Sequence, residues 1–300
     1  VEFDWFGCPT KVARGGIHAA LPNYSETATN SRVILNQDVN SYYPSLILNN
    51  QLLSRSTTSD ALYRQFYDLR LSAKAQGDTA TADAAKLVLN TTFGAQKDKY
   101  NKLFDPMQAT RICFDGQLYI LDLTYALATN LRTFTLIQLN TDGWMFSLDK
   151  SELSRLDELV NEWSKRTGLG LGTDHITKVI QPNVNNYIIE QENGKIKGKG
   201  GIVANHKGGD FKSNSATIID YAVVNYCLNG VQVRDTIEQC NDVMRYQIIA
   251  KAGHTYSHIV HNEKPLPQKV NRVFATTDTT QTGIFKVKPN SDTLEKIALT

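Results

Sequence analysis

Two short apolar runs, each leading into an aspartate, constrain this chain more than any other feature. One is Val33-Ile-Leu-Asn-Gln-Asp38 and the other is Leu136-Ile-Gln-Leu-Asn-Thr-Asp142. Both have the composition of strands, and Asp142-Gly143 between two strand-like runs is a strong hairpin signal. The residues separating them read differently. From Ser59 the pattern is helical as far as Gly77, a glycine placed just past a helix end, and Asp78 or Thr79 caps a second helix through Ala84 to Asn90. A third apolar helix is expected over Gln117 to Thr133. A chain that leaves one acidic strand for a helical excursion and returns to a second folds as α+β, with an antiparallel sheet backed by helices and the helical hairpin inserted between the strands.

The remaining elements are read more coarsely. A turn is expected at Pro44, because proline disfavours helix in the residue before it. A helix is expected from Ser151, as N-cap, to Arg166, with Gly168 beyond its end. Ile180 to Lys199 reads as extended, with a turn at Glu192-Asn-Gly194, and the chain after Gly201 reads as mixed and more helical.

Composition narrows the class. The hydrophobic fraction of 41% and charged fraction of 21% are those of a globular protein. No apolar run approaches the ~18 to 20 residues a membrane span needs, and the N-terminus lacks the pattern of a secretory signal. Cys8, Cys113, Cys227 and Cys240 are scattered without metal-site spacing, which fits a cytoplasmic protein with reduced thiols. The net charge of +2 does not announce a nucleic-acid partner. Lys195, Lys197 and Lys199 do alternate, however, with His206, Lys207 and Lys212 following. Such a row suits a phosphate backbone, or equally a solvated edge strand guarded by lysines.

The candidate chemistry lies around the aspartates. Two carboxylates and a main-chain carbonyl, here Asp38, Asp142 and Val39, are oxygen donors of the kind hard divalent cations take. Lys86, Asn90 and Gly94 are spaced to share one helix face, with Phe93 beside them, and form a plausible nucleotide face. Arg70 and Lys74 are likewise one turn apart on the preceding helix. Tyr42 and Tyr43 follow the first carboxylate, where an aromatic under a sugar would exclude a 2′-hydroxyl. Each of these also has a plainer reading: a turn aspartate, an amphipathic helix with solvated cations, a half-buried tyrosine pair.

Taken in order, the segments resemble the family B DNA polymerases, particularly bacteriophage replicative forms. Asp38-Val-Asn-Ser-Tyr-Tyr-Pro-Ser45 resembles the first palm motif, Asp-x-x-Ser-Leu-Tyr-Pro-Ser, differing at Tyr42. Lys86-Leu-Val-Leu-Asn-Thr-Thr-Phe-Gly94 is similar to the fingers motif, Lys-x-x-x-Asn-Ser-x-Tyr-Gly, and Asn140-Thr-Asp142-Gly143 to the second palm motif, Asp-Thr-Asp-Ser. Gly15-Gly-Ile-His18 is similar to the Gly-Gly segment that precedes the palm. The resemblance covers about residues 12 to 210. It implies a palm at 1–58 and 106–200, fingers at 59–105 and a thumb, complete or partial, at 201–300, including Gln268 to Phe274.

By the same resemblance the chain adds dNTPs to the 3′ end of primer-template DNA, using two Mg²⁺ ions for which Mn²⁺ can substitute. Asp38, Val39 and Asp142 would hold the metals. Arg70, Lys74 and Lys86 would bind the triphosphate, Asn90 and Phe93 would sit at the nascent pair, and Tyr43 would select the sugar. Tyr187, Lys195 and Lys197 would hold the duplex. Asn140 replaces the first aspartate of the second palm motif, and Asn185 replaces a lysine of the duplex-binding segment. No Asp-x-Glu editing signature precedes the palm, so an exonuclease would lie upstream, on another replication protein, or be absent. The rival expectations are a catalytically silent module that binds primer-template, and an RNA-synthesising or primer-making enzyme, which Tyr43 disfavours.

Overall fold

The computed structural model describes residues 1–200, 215–290 and 294–298, so His206, Lys207 and Lys212 lie outside the described residues. The chain forms two compact units, one of residues Val1–Val184 with Ile189–Lys195, the other of Asn185–Ile188 with Ile196–Thr300.

The first unit is built on strands β1 (Glu2–Trp5), β2 (Cys8–Ala13), β3 (Gly16–Ala20), β4 (Tyr24–Thr27) and β5 (Arg32–Val39). Helices α1 (Tyr42–Asn49), α2 (Ala61–Ala75), α3 (Thr79–Ala95) and α4 (Pro106–Asn130) follow, then β6 (Thr135–Asn140), β7 (Gly143–Asp149), α5 (Leu153–Thr167) and β8 (Leu171–Asn183). The sheet runs β1-β2-β3-β6-β7-β5-β8, with β4 also on β8. The fold is thus α+β, with an antiparallel sheet backed by helices. Strand β5 is central: Asp38 faces Gly143 of β7 on one side and Gly172 of β8 on the other. Val33, Ile34 and Leu35 are buried in succession, as in a strand covered on both faces.

Helices α4 and α5 cover the sheet. Leu156, Leu159, Trp163 and Thr167 of α5 are buried at helical spacing, and the helix ends at Gly168 with φ +69°. Trp163 meets Trp144 of β7 edge-on at 5.9 Å, and the Trp144 indole donates to the Thr124 hydroxyl at 2.7 Å. Helices α2 and α3 form the expected hairpin. Gly77 turns it with φ +75°, and the Asp78 carboxylate accepts from the Thr81 amide at 3.0 Å. The hairpin closes at its base. Arg55, on the way in, donates from Nε to Asp105 Oδ2 at 2.8 Å and from Nη2 to Oδ1 at 2.9 Å, and Asp105 caps α4 on the way out through the Gln108 amide.

Several local expectations are corrected. Pro44 lies inside the first turn of α1, where the missing N–H would have had no helical partner anyway. Helix α4 begins at Pro106 behind the Asp105 cap, well before Gln117. Ser151 does not cap α5. It lies in a 3₁₀ turn, Lys150–Glu152, and the Glu152 carboxylate accepts instead from the amides of Arg132 at 2.8 Å and Thr133 at 2.9 Å.

In the second unit the described residues are richer in strands than expected. Helices α6 (Thr217–Asn229) and α7 (Val233–Gln239) precede β11 (Ile248–Lys251), β12 (His258–His261), β13 (Lys264–Leu266), β14 (Val270–Val273), β15 (Ile284–Val287) and β16 (Leu294–Ala298). Between the two units' helices come β9 (Asn186–Gln191) and β10 (Ile196–Lys199). β11 pairs with β14, and the other four form a sheet in the order β13-β12-β15-β16 around Ile259 and Ile284. The Gln268 to Phe274 segment therefore contains β14.

Candidate active site

The β5–β7 ladder brings the two aspartates together. The pairing of Asp38 with Gly143 sets Asp142 at the neighbouring turn, and the Val39 amide donates to the Asp142 carbonyl at 2.7 Å. The Asn36 side chain donates to Asp38 Oδ2 at 2.8 Å and orients that carboxylate. Gly143 makes the approach possible: a methyl group there would overlap Asp38 Oδ1 and stand 2.6 Å from the Gln37 carbonyl oxygen. A second bare position supports the turn, since a methyl on Gly16 would overlap the Thr141 hydroxyl.

Both carboxylates open into one cavity of 630 Å³. Asp142 keeps a solvent-facing edge, yet protein crowds its other sides. That partial withdrawal from water raises its pKa above the ordinary carboxylate value, against the opposing pull of a backbone hydrogen bond first and of His18 and Lys86 after it.

The cations reach the cavity from the helical hairpin. Arg70 and Lys74 of α2 and Lys86 and Asn90 of α3 all border it, as do Val39 and Tyr43. The hairpin can present them because its inner seam is apolar: Ala73, Ala82, Ala85 and Leu89 are buried, and the Tyr63 hydroxyl donates to the Leu89 carbonyl at 3.2 Å. Arg70 is already engaged, donating to the Ser41 hydroxyl at 2.6 Å. Ser41 precedes α1 in a left-handed conformation, φ +51°.

Phe93 behaves differently from its helical neighbours. It is 8% exposed, does not border the cavity, and stacks on Tyr43 with ring centroids 4.1 Å apart. Burial pushes the Tyr43 phenol up to about 12. Tyr42 also borders the cavity, and its buried hydroxyl finds no partner and fits against Gly116 of α4, where a methyl group would overlap it.

Sequence reasoning missed one wall. Gly172, Thr173 and Asp174 of β8 border the same cavity. Asp174 is in register with Asn36 of β5, and Gln37 donates to the Thr173 hydroxyl at 3.2 Å. The only local signal was the Gly-x-Gly-Thr-Asp run after α5, which does not reveal its partner strand.

Tyr187, Lys195 and Lys197 are not among the residues that line this cavity. Tyr187, on β9, and Lys197, on β10, are half-buried residues of the second unit, whereas Lys195 is exposed in the turn before β10. Asn140 ends β6, where its side-chain Oδ1 accepts from the Gln138 side-chain amide at 3.5 Å.

The donor set suits a hard divalent cation. Among the described residues no three His, Cys, Asp or Glu side chains converge. Asp38, Asp142 and the Val39 main chain are the oxygens expected of such a site, Asp174 adds a further carboxylate to the same lining, and the bare Gly143 leaves room for the Asp38 carboxylate. No described helix is long and apolar enough to cross a membrane.

No protein-family model matches the chain, and no curated protein matches it. Among solved structures it is similar to the family B DNA polymerase from the hyperthermophilic archaeon Pyrobaculum calidifontis, at 13% identity and a TM-score of 0.44. The match covers 73% of this chain and 34% of that one.

Proposed function

We propose that the first unit carries the palm and fingers of a template-directed DNA polymerase of the family B type, adding dNTPs to a primer 3′ end. The observation that carries this reading is the cavity. Asp38 and Asp142 border it from the ends of neighbouring strands, Asp174 borders it from β8, and three cations border it from an inserted hairpin. Carboxylates hold divalent cations and the opposing cations hold phosphate, which is the charge layout of two-metal nucleotidyl transfer.

In this mechanism Lys86, Lys74 and Arg70 bind the triphosphate, and Arg70 exchanges the Ser41 hydroxyl for a phosphate oxygen. Asn90 borders the nascent pair, with Phe93 behind it, and Tyr43 crowds the 2′ position of the sugar. Asp38, Asp142 and the Val39 carbonyl would hold two Mg²⁺, which when bound stabilise charge on the attacking and leaving oxygens. The primer 3′-oxygen forms its bond to the α-phosphorus as the bond to pyrophosphate breaks. Catalysis is positioning and electrostatics. The second unit is read as thumb, and Tyr187, Lys195 and Lys197 as contacts to the primer-template duplex.

Extension of a labelled primer-template with dNTPs and Mg²⁺, beside Asp142→Ala, tests this. Extension by the parent but not by the variant supports it. Tight duplex binding without extension replaces it with a silent primer-template-binding module, and extension with rNTPs without a primer replaces it with a primer-making enzyme.

A further inference from the structure

Tyr43 is supported from behind. Phe93 stacks on it with ring centroids 4.1 Å apart and planes 17° from parallel. The Lys97 ammonium lies 4.0 Å from the centroid of the same Phe93 ring. Two groups that close to one ring cannot occupy one face, so Tyr43 and Lys97 hold Phe93 between them. Lys97 follows the end of α3, and its Nζ is 3.8 Å from the Cys113 sulfur on α4. The tier thus ties α1, α3 and α4 together, and only Tyr43 of its three members borders the cavity.

We propose that Lys97 is the positioning residue that fixes Tyr43 and so sets discrimination between deoxy- and ribonucleotides. This rests on reading the cavity as a nucleotide site. A cation is drawn to the negative face of an aromatic ring, and a ring held on one face by charge and on the other by a second ring has little freedom to tilt. A 2′-hydroxyl adds a single oxygen to the sugar, so a gate against it works by fractions of an ångström. Without the ammonium Phe93 can tilt away, Tyr43 can follow it, and the added oxygen is accommodated.

The test uses the full chain with Lys97→Met, which keeps the length and the apolar stem. The ratio of kcat/KM for dNTP to that for the matching rNTP falls by about 3- to 10-fold, the size of one cation–ring contact. The change appears as a lower KM for rNTP, with kcat for dNTP little altered. Lys97→Arg restores the ratio, since a guanidinium also sits over aromatic faces. An unchanged ratio in Lys97→Met overturns the proposal. That includes the case where duplex binding weakens with a shallower salt dependence, the mark of a phosphate contact. A parent that does not extend primers defeats the polymerase reading separately. Equilibrium competition of dATP against ATP then reads the same ratio without turnover: deoxy preference lost in the variant upholds the role of Lys97, and equal preference in both proteins ends it.

Discussion

Gly143 stands directly across the ladder from Asp38, with no space between them for even a methyl group. Gly143→Ala would overlap Asp38 Oδ1 and press a new carbon to 2.6 Å from the Gln37 carbonyl oxygen, which the central strand cannot move cheaply. The expected result is a stability loss of about 1 to 3 kcal/mol from overpacking, by chemical denaturation, together with loss of primer extension. Normal extension by a stably folded Gly143→Ala protein would show that the Asp38 carboxylate need not sit where it does.

Asp142 should respond to metal and to pH together. Its folded pKa lies above the ordinary carboxylate value of about 3.9 that the unfolded chain has. The folded state therefore binds the proton more tightly, and the linked stability declines as pH rises through the folded pKa. In EDTA at neutral pH, Asp142→Asn should melt slightly above the parent. Added Mg²⁺ should raise the parent's Tm and the variant's less. Identical Mg²⁺ responses in the two proteins would remove Asp142 from the metal site.

Asp105 behaves in the opposite sense. The Arg55 guanidinium, with amide donors from Arg55 and Gln108, holds its carboxyl well below the usual range. Its contribution is complete above the unfolded pKa of about 3.9 and is lost as pH falls toward the lower folded value. Asp105→Ala should cost about 1 kcal/mol at neutral pH through the lost α4 cap. The exposed Arg55 side of the ion pair adds little in water. Stability curves from pH 7 to pH 2 should converge for parent and variant at the acid end. Parallel curves would rule out the ionised cap.

Lys86 should act on affinity. Lys86→Ala removes a charge-assisted contact and should raise the apparent KM for dNTP by about 10-fold or more with kcat nearly preserved. An unchanged KM would leave Lys86 as a solvated helix residue.

The parts of this site that were legible in the sequence are those whose signals are local. Asp142-Gly143 announces its own hairpin, and Gly77 with Asp78 announces the turn between α2 and α3. Lys86 and Asn90 share a face by helical spacing alone. Phe93 lies near that face too, but only the fold shows that Tyr43 is there to receive it. Asp174 was invisible because it enters the cavity through the β5–β8 register, a pairing between distant residues. The early turns of α4 were hidden by Met107 and Phe114, exposed apolar residues that blur the helical period. Pro44 misled because a proline in the first turn of a helix looks locally like a stop. In the second unit the strands are three to five residues long in the described part, too short for alternation to declare itself.

The clasp between Arg55 and Asp105 has a consequence for engineering. The chain departs for the hairpin and comes back from it at one fastened base, and the hairpin is docked on α1 through Arg70 to Ser41 and Phe93 to Tyr43. Everything between those two residues is in effect a cassette. A hairpin with a different tip beyond Arg70 and Lys86 can be grafted between them and will meet the aspartates from the same anchor, provided it keeps Arg70 on Ser41 and Phe93 on Tyr43.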